Sequence, residues 1–209
     1  MSAMREMQVV LPSPGKLFTP GVTAVLALCV AGFLLCAFAP SVAVGVLGLS
    51  AASVLHGRIW LLLTYPFGND SATNLVFSGL IVLFVGSSVE REWRTASFLW
   101  LWVVVSLGCG ILWVVVSLLL GGNPMGVGAT ACNYGLLATM GLLHRGRRFL
   151  ILFAAVEAQH LVVGLIVVGI LLNLGSPMRL VWIAGAPVAY LYVKAKWRYA
   201  AARPRRSTT

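Results

Sequence analysis

Residues 97–120, SFLWLWVVVSLGCGILWVVVSLLL, run for twenty-four positions without a charged side chain. A segment that long and that apolar matches the ~20 residues a helix needs to cross the hydrocarbon of a bilayer. Inside lipid no water is available to pair backbone N–H and C=O groups, so the segment must be a helix or belong to a closed barrel. That requirement narrows the fold more than any other property of the chain.

Five further runs read the same way, giving six spans at 21–39, 73–89, 97–120, 127–143, 149–173 and 179–194. The breaks carry turn or charge signals: APS, EREWR, GGNP, HRGRR and NLGSP. Hydrophobic residues make up 60% of the 209 and charged residues 10%, with mean hydropathy +0.96. A soluble domain could not cover that much apolar surface, so lipid must serve as solvent. Four cysteines, Cys29, Cys36, Cys109 and Cys132, lie in apolar runs with no CxxC spacing and read as small buried hydrophobes. The polar lead with Arg5 and Lys16 reads as cytoplasmic sequence before a first span, not as a cleavable signal.

The net charge of +10 then becomes a statement about orientation. With six spans, thirteen basic residues fall on one side and only Arg58 and Arg179 on the other, which puts both termini in the cytoplasm. A seventh span within 41–72 would weaken that asymmetry and bury Arg58. This Gly-, Ala- and Ser-rich stretch, ending in GRIWLLLTYPFGND, therefore reads as an interfacial loop. The basic tail after Lys194 reads as an anchor to anionic lipid and not as a nucleic-acid contact. The organisation expected is a lead at 1–20, a membrane domain at 21–194 and a basic tail at 195–209.

Three stretches in order, GRIWLLLTYPF (57–67), NLVFSGLIVLFVGSSVEREW (74–93) and GVGATACNYGLLA (126–138), resemble the rhomboid family of intramembrane serine proteases. AGAPVAYLYVK (184–194) is similar to that family's last helix. The resemblance implies a six-span, all-α rhomboid-like bundle with an interfacial loop after the first span. It also implies a nucleophile at the start of the fourth span, where this chain has Thr130 in place of serine. The place of the family's histidine base falls on Trp182, and its two oxyanion-assisting positions fall on Asn74 and Ser78. An indole N–H can donate a proton but cannot accept one as imidazole does, so these substitutions imply a frame without its chemistry.

Glu157 and His160, three apart in the fifth run, offer a rebuilt alternative. Ionisable residues within a span are functional candidates by default. At ~1.5 Å rise per residue, His160 and Thr130 reach similar depth. Their other role is to bond each other or a neighbouring helix. Asn133, one turn past Thr130, reads as an interhelical hydrogen-bonding residue on the same face. Glu90 and Glu92, among Arg91 and Arg94, read as a solvated helix end.

The function expected is thus a rhomboid-like, non-proteolytic membrane protein. Its partners are membrane lipid and transmembrane segments of other proteins, with no nucleic acid, cofactor or metal. An intramembrane endopeptidase using Thr130 is the alternative, and a small transporter built on Glu157 and His160 a third. Short loops and the plain positive-inside bias suggest a bacterial plasma membrane.

Overall fold

A computed structural model describes residues 18–143, 148–151, 154–157, 164, 167 and 177–202. Among these, three helices are long and apolar enough to cross a membrane: Pro20–Phe38, Ala72–Trp93 and Thr95–Leu119. They correspond to the first three expected spans. The first is α1 (Pro20–Phe38) and the third is α7 (Thr95–Leu119). The second is α5 (Ala72–Ile81) joined to α6 (Ser87–Trp93) through a π turn at Val82–Gly86.

Between α1 and α5 the chain folds as α2 (Pro40–Leu47), α3 (Ala51–Leu55), α4 (Leu61–Thr64) and a 3-10 turn at Tyr65–Phe67. The longest of these has 8 residues, or ~12 Å at helical rise, far short of a bilayer. The stretch that reads as an interfacial loop is thus a chain of short helices. It is pinned to the bundle where Leu49 and Gly126 exchange backbone hydrogen bonds (2.9 and 2.8 Å).

The fourth run forms α8 (Thr130–Leu143), 14 residues long. At ~1.5 Å per residue it covers ~21 Å, less than a hydrocarbon core ~30 Å thick. The irregular backbone that leads into it is enclosed by protein. Here Gly126, Gly128 and Ala129 are all buried, and Gly128 N–H donates to Tyr65 C=O at 2.9 Å. Gly128 has φ +114°, a region closed to residues with a Cβ by steric crowding.

After α8 come α9 (Pro177–Leu180), a 3-10 turn at Val181–Ala184, and α10 (Gly185–Ala202). The bundle is built around α8, which packs on α5, α6, α7 and most extensively on α10. Glycine permits that contact. A Cβ on Gly185 would lie 2.0 Å from the Ala131 carbonyl oxygen, and one on Gly135 would meet Val105 at 2.9 Å.

The expected fifth span, 149–173, is the main departure. Arg148–Ile151 (β1) and Ala154–Glu157 (β2) pair antiparallel, with Arg148 opposite Glu157 and Ile151 opposite Ala154. An apolar run such as RFLILFAAV has no periodicity that separates buried strand from buried helix. The pairing corrects the helix expected from 149. Gly164 and Val167 are helical, and the remainder of that expected span lies outside the described residues.

Candidate functional site

Thr130 opens α8 and is half-buried. A Cβ placed on Gly128 would stand 3.6 Å from Asn74 Nδ2 and 3.9 Å from Thr130 Oγ1, so both polar groups flank the same glycine. One turn further along each helix, Asn133 Nδ2 donates to Ser78 Oγ at 2.9 Å, with both residues buried. Four expected site residues therefore meet where α5 faces the start of α8. Asn133 Oδ1 is buried and lacks a hydrogen-bond partner among the described residues.

Trp182 sits in the 3-10 turn before α10 and is buried. Its indole stacks on Trp113 (centroids 4.3 Å, interplanar angle 18°) and on Tyr65 (5.3 Å, 26°). Trp113 Nε1 donates to Pro124 C=O at 3.3 Å, and Tyr65 Oη to Ser106 C=O at 3.2 Å. A Cβ on Gly126 would come within 2.7 Å of the Trp182 ring. The aromatic stack thus lies directly against the glycine stretch that leads into Thr130. Such stacked pairs contribute ~0.5–1.5 kcal/mol each beyond area burial, so Trp182 is a structural member of the core.

Of the alternative set, the Glu157 backbone lies in β2 opposite Arg148, and His160 lies outside the described residues. Among the described residues no side chain hydrogen bonds to the Thr130 hydroxyl. His56, at the end of α3, contacts Ala52 C=O through Nδ1 at 2.7 Å.

Glu90 is the residue that sequence reasoning misplaced. It is not a solvated helix end but is 3% exposed. Its carboxylate accepts from Thr19 Oγ1 (2.5 Å), Thr95 Oγ1 (2.6 Å), Gly21 N (2.8 Å) and Val22 N (2.8 Å). The cause lies at the other end of the chain. Helix α1 starts at Pro20 with no side-chain cap from Thr19 and no acidic residue in its first turn. The first N–H groups of any helix need outside acceptors, and lipid supplies none. Glu90 reaches across from α6 to provide them. TPGV reads as an ordinary Thr-capped, Pro-initiated start, and only the structure shows that Thr19 turns to Glu90 and leaves α1 without a side-chain cap of its own.

Beside it, Arg94 adopts φ 68°, ψ 157° to turn α6 into α7. Lys196 Nζ lies 3.9 Å from the centroid of the Trp93 ring, tying the end of α6 to α10 by a cation–π contact.

Residues 23–195 match the family model described as eukaryotic integral membrane protein, DUF1751, and the chain belongs to that family. No curated protein matches it. The chain is an α-helical integral membrane protein in contact with lipid, and the family is eukaryotic. A bacterial plasma membrane is thereby corrected. Short loops and a positive-inside bias are set by bilayer insertion in general; they fix orientation and say nothing about the kind of cell.

Proposed function

We propose, starting from that family membership, that this chain is a rhomboid-like, non-proteolytic membrane protein that holds transmembrane segments of other proteins. The architecture proposed is the six-span bundle, residues 21–194, with the lead and the basic tail at 195–209 both cytoplasmic. The observation that carries the reading is Trp182. At the place the resemblance assigns to a histidine base, a buried indole stacks between Trp113 and Tyr65. An indole cannot take the proton of a hydroxyl, and its removal would leave a hole in the core.

What persists suits binding. At the start of helix α8, Thr130 and Asn74 flank Gly128, and the Asn133–Ser78 pair lies a turn away. Polar groups in that setting hydrogen-bond the backbone of a locally unwound client helix at ~0.6–2 kcal/mol per bond. The second span beside them exposes Val76, Phe77 and Leu80 of α5 and Phe84 of the π turn, an apolar wall for an entering segment.

The test is a proteolysis and capture assay with purified chain in nanodiscs and a model transmembrane substrate. The substrate is expected to remain intact and to photo-cross-link from a probe at position 77, with yield reduced in Asn133→Leu. Cleavage that vanishes in Thr130→Ala would establish an endopeptidase and overturn the reading.

A further inference from the structure

We propose that the end of the bundle where α6 turns into α7 and α10 runs out is a docking platform for inositol lipids that carry phosphomonoesters. Two elements about a hundred residues apart meet there. Lys196 of α10 holds its Nζ 3.9 Å from the centroid of the Trp93 ring, and Tyr192 sets its own ring edge-on to Trp93 at 6.3 Å. Trp93 ends α6, and the next residue, Arg94, makes the turn into α7. The contact therefore gathers Arg94 and the basic stretch of α10 at one end of the molecule.

Lys194, Trp197 and Arg198 stand three and four residues apart, so they share one face of α10. All three are exposed, and so is Arg94. Lys194 to Arg198 covers ~6 Å of helix, less than the ~8 Å over which physiological salt screens a charge. The cations therefore act on a docked anion together. Little within the chain neutralises them. Glu90 spends its carboxylate on four donors, which leaves Glu92 as the exposed carboxylate of this turn. Arg94, Lys194 and Arg198 form no ion pair among the described residues.

The setting selects a lipid. Helix α10 exposes Leu191 just before the first of these cations and Trp197 among them. Tryptophan belongs at the membrane–water boundary, so an anion docked here keeps its tails within reach of hydrocarbon. Charge selects the head. Phosphatidylserine and phosphatidylinositol each carry a single net negative charge. A phosphomonoester adds about −1.5 to −2, with oxygens that a guanidinium binds in pairs. Cations drawn from two elements reward that density. Orientation alone requires no such meeting, because it depends on how many Lys and Arg flank the spans and not on which of them come together.

The full chain in phosphatidylcholine nanodiscs is titrated with dioctanoyl phosphatidylinositol 4-phosphate, and binding is read by microscale thermophoresis. Dioctanoyl phosphatidylserine and dioctanoyl phosphatidylinositol are the comparators, and inositol 1,4-bisphosphate supplies the head without tails. Each Lys or Arg near the surface contributes ~fivefold in affinity. The phosphomonoester lipid is therefore expected to bind at least ~fivefold tighter than either comparator, and Lys194→Ala, Arg198→Ala and Arg94→Gly are each expected to lose about that factor. Arg94→Gly also relieves a backbone at φ 68°, so weaker binding there is not a loss of fold. Trp93→Leu keeps every charge but releases Lys196, and is expected to weaken binding about twofold to fivefold. The proposal fails if the comparators bind equally, if Arg94→Gly or Trp93→Leu keeps full affinity, or if the tail-less head binds as tightly as the lipid. It fails also if changing Arg203, Arg205 and Arg206 to Ala abolishes the preference, because the tail would then account for it. Both faces of a nanodisc are open, so these outcomes do not depend on orientation; only the leaflet engaged rests on the cytoplasmic placement proposed above.

Discussion

Replacing Glu90 tests whether a single carboxylate holds the first span in place. In Glu90→Ala the N–H groups of Gly21 and Val22, now bonded at 2.8 Å, lose their acceptor while remaining buried. Each orphaned donor costs ~1–3 kcal/mol, and the favourable negative charge at the start of α1 goes with them, worth ~0.3–1 kcal/mol. The hydroxyls of Thr19 and Thr95 can rotate to other acceptors and add little. The expected loss is therefore about 3–5 kcal/mol. For a protein of this size that lowers the unfolding midpoint by about 10 °C, at ~2–4 °C per kcal/mol. Glu90→Gln keeps the shape but loses the charge and one acceptor oxygen, and is expected to cost about half as much.

Thermal unfolding in detergent, followed by the fluorescence of the seven tryptophans, measures both variants. Thr95→Val supplies the control. It is expected to cost about 1 kcal/mol in the native background and close to nothing in Glu90→Ala, because the partner is already gone. If Glu90→Ala stays within ~0.5 kcal/mol of the native chain, as an ordinary surface substitution does, the capping argument is wrong. Glu90 would then be the solvated residue its charged neighbours suggest.

Arg94 occupies a backbone region with φ 68° that favours glycine, so Arg94→Gly is expected to stabilise the chain by about 1 kcal/mol, read as a rise in unfolding midpoint. Gly185→Ala forces a Cβ to within 2.0 Å of the Ala131 carbonyl; it is expected to cost at least ~1–3 kcal/mol and to lower the yield of folded protein in size-exclusion chromatography. Trp182→Ala removes the middle ring of the aromatic stack and is expected to destabilise by about 3–5 kcal/mol, measured by the same unfolding transition. Ser78→Ala breaks the bond to Asn133 and is expected to cost no more than ~0.6–2 kcal/mol, since partners are also found in the unfolded membrane state.

The membrane setting and the first three spans were legible in the chain. Hydropathy is a property of consecutive residues, and lipid forces any long apolar run to close its own hydrogen bonds. The short helices between Pro40 and Phe67 were also foreseeable as a non-spanning stretch, because Arg58 and the interfacial aromatics argue against burial. The run from 149 was not legible. Phe149, Leu150, Ile151 and Val156 satisfy a buried strand as well as a buried helix, and the β1–β2 pairing needs contacts that composition does not carry.

Glu90 marks the boundary most clearly. Its neighbours Arg91 and Glu92 describe a charged, solvated turn, whereas its partners Thr19, Gly21 and Val22 lie about seventy residues away. The same distance separates Trp113 from Trp182, whose rings stack with centroids 4.3 Å apart. Sequence by itself determined that the chain lives in lipid as helices, because that follows from local apolar length and backbone hydrogen bonding. Only the tertiary structure decided which polar groups end up facing each other. In a medium without water each buried donor must find its acceptor elsewhere in the fold, and that pairing has no local signature.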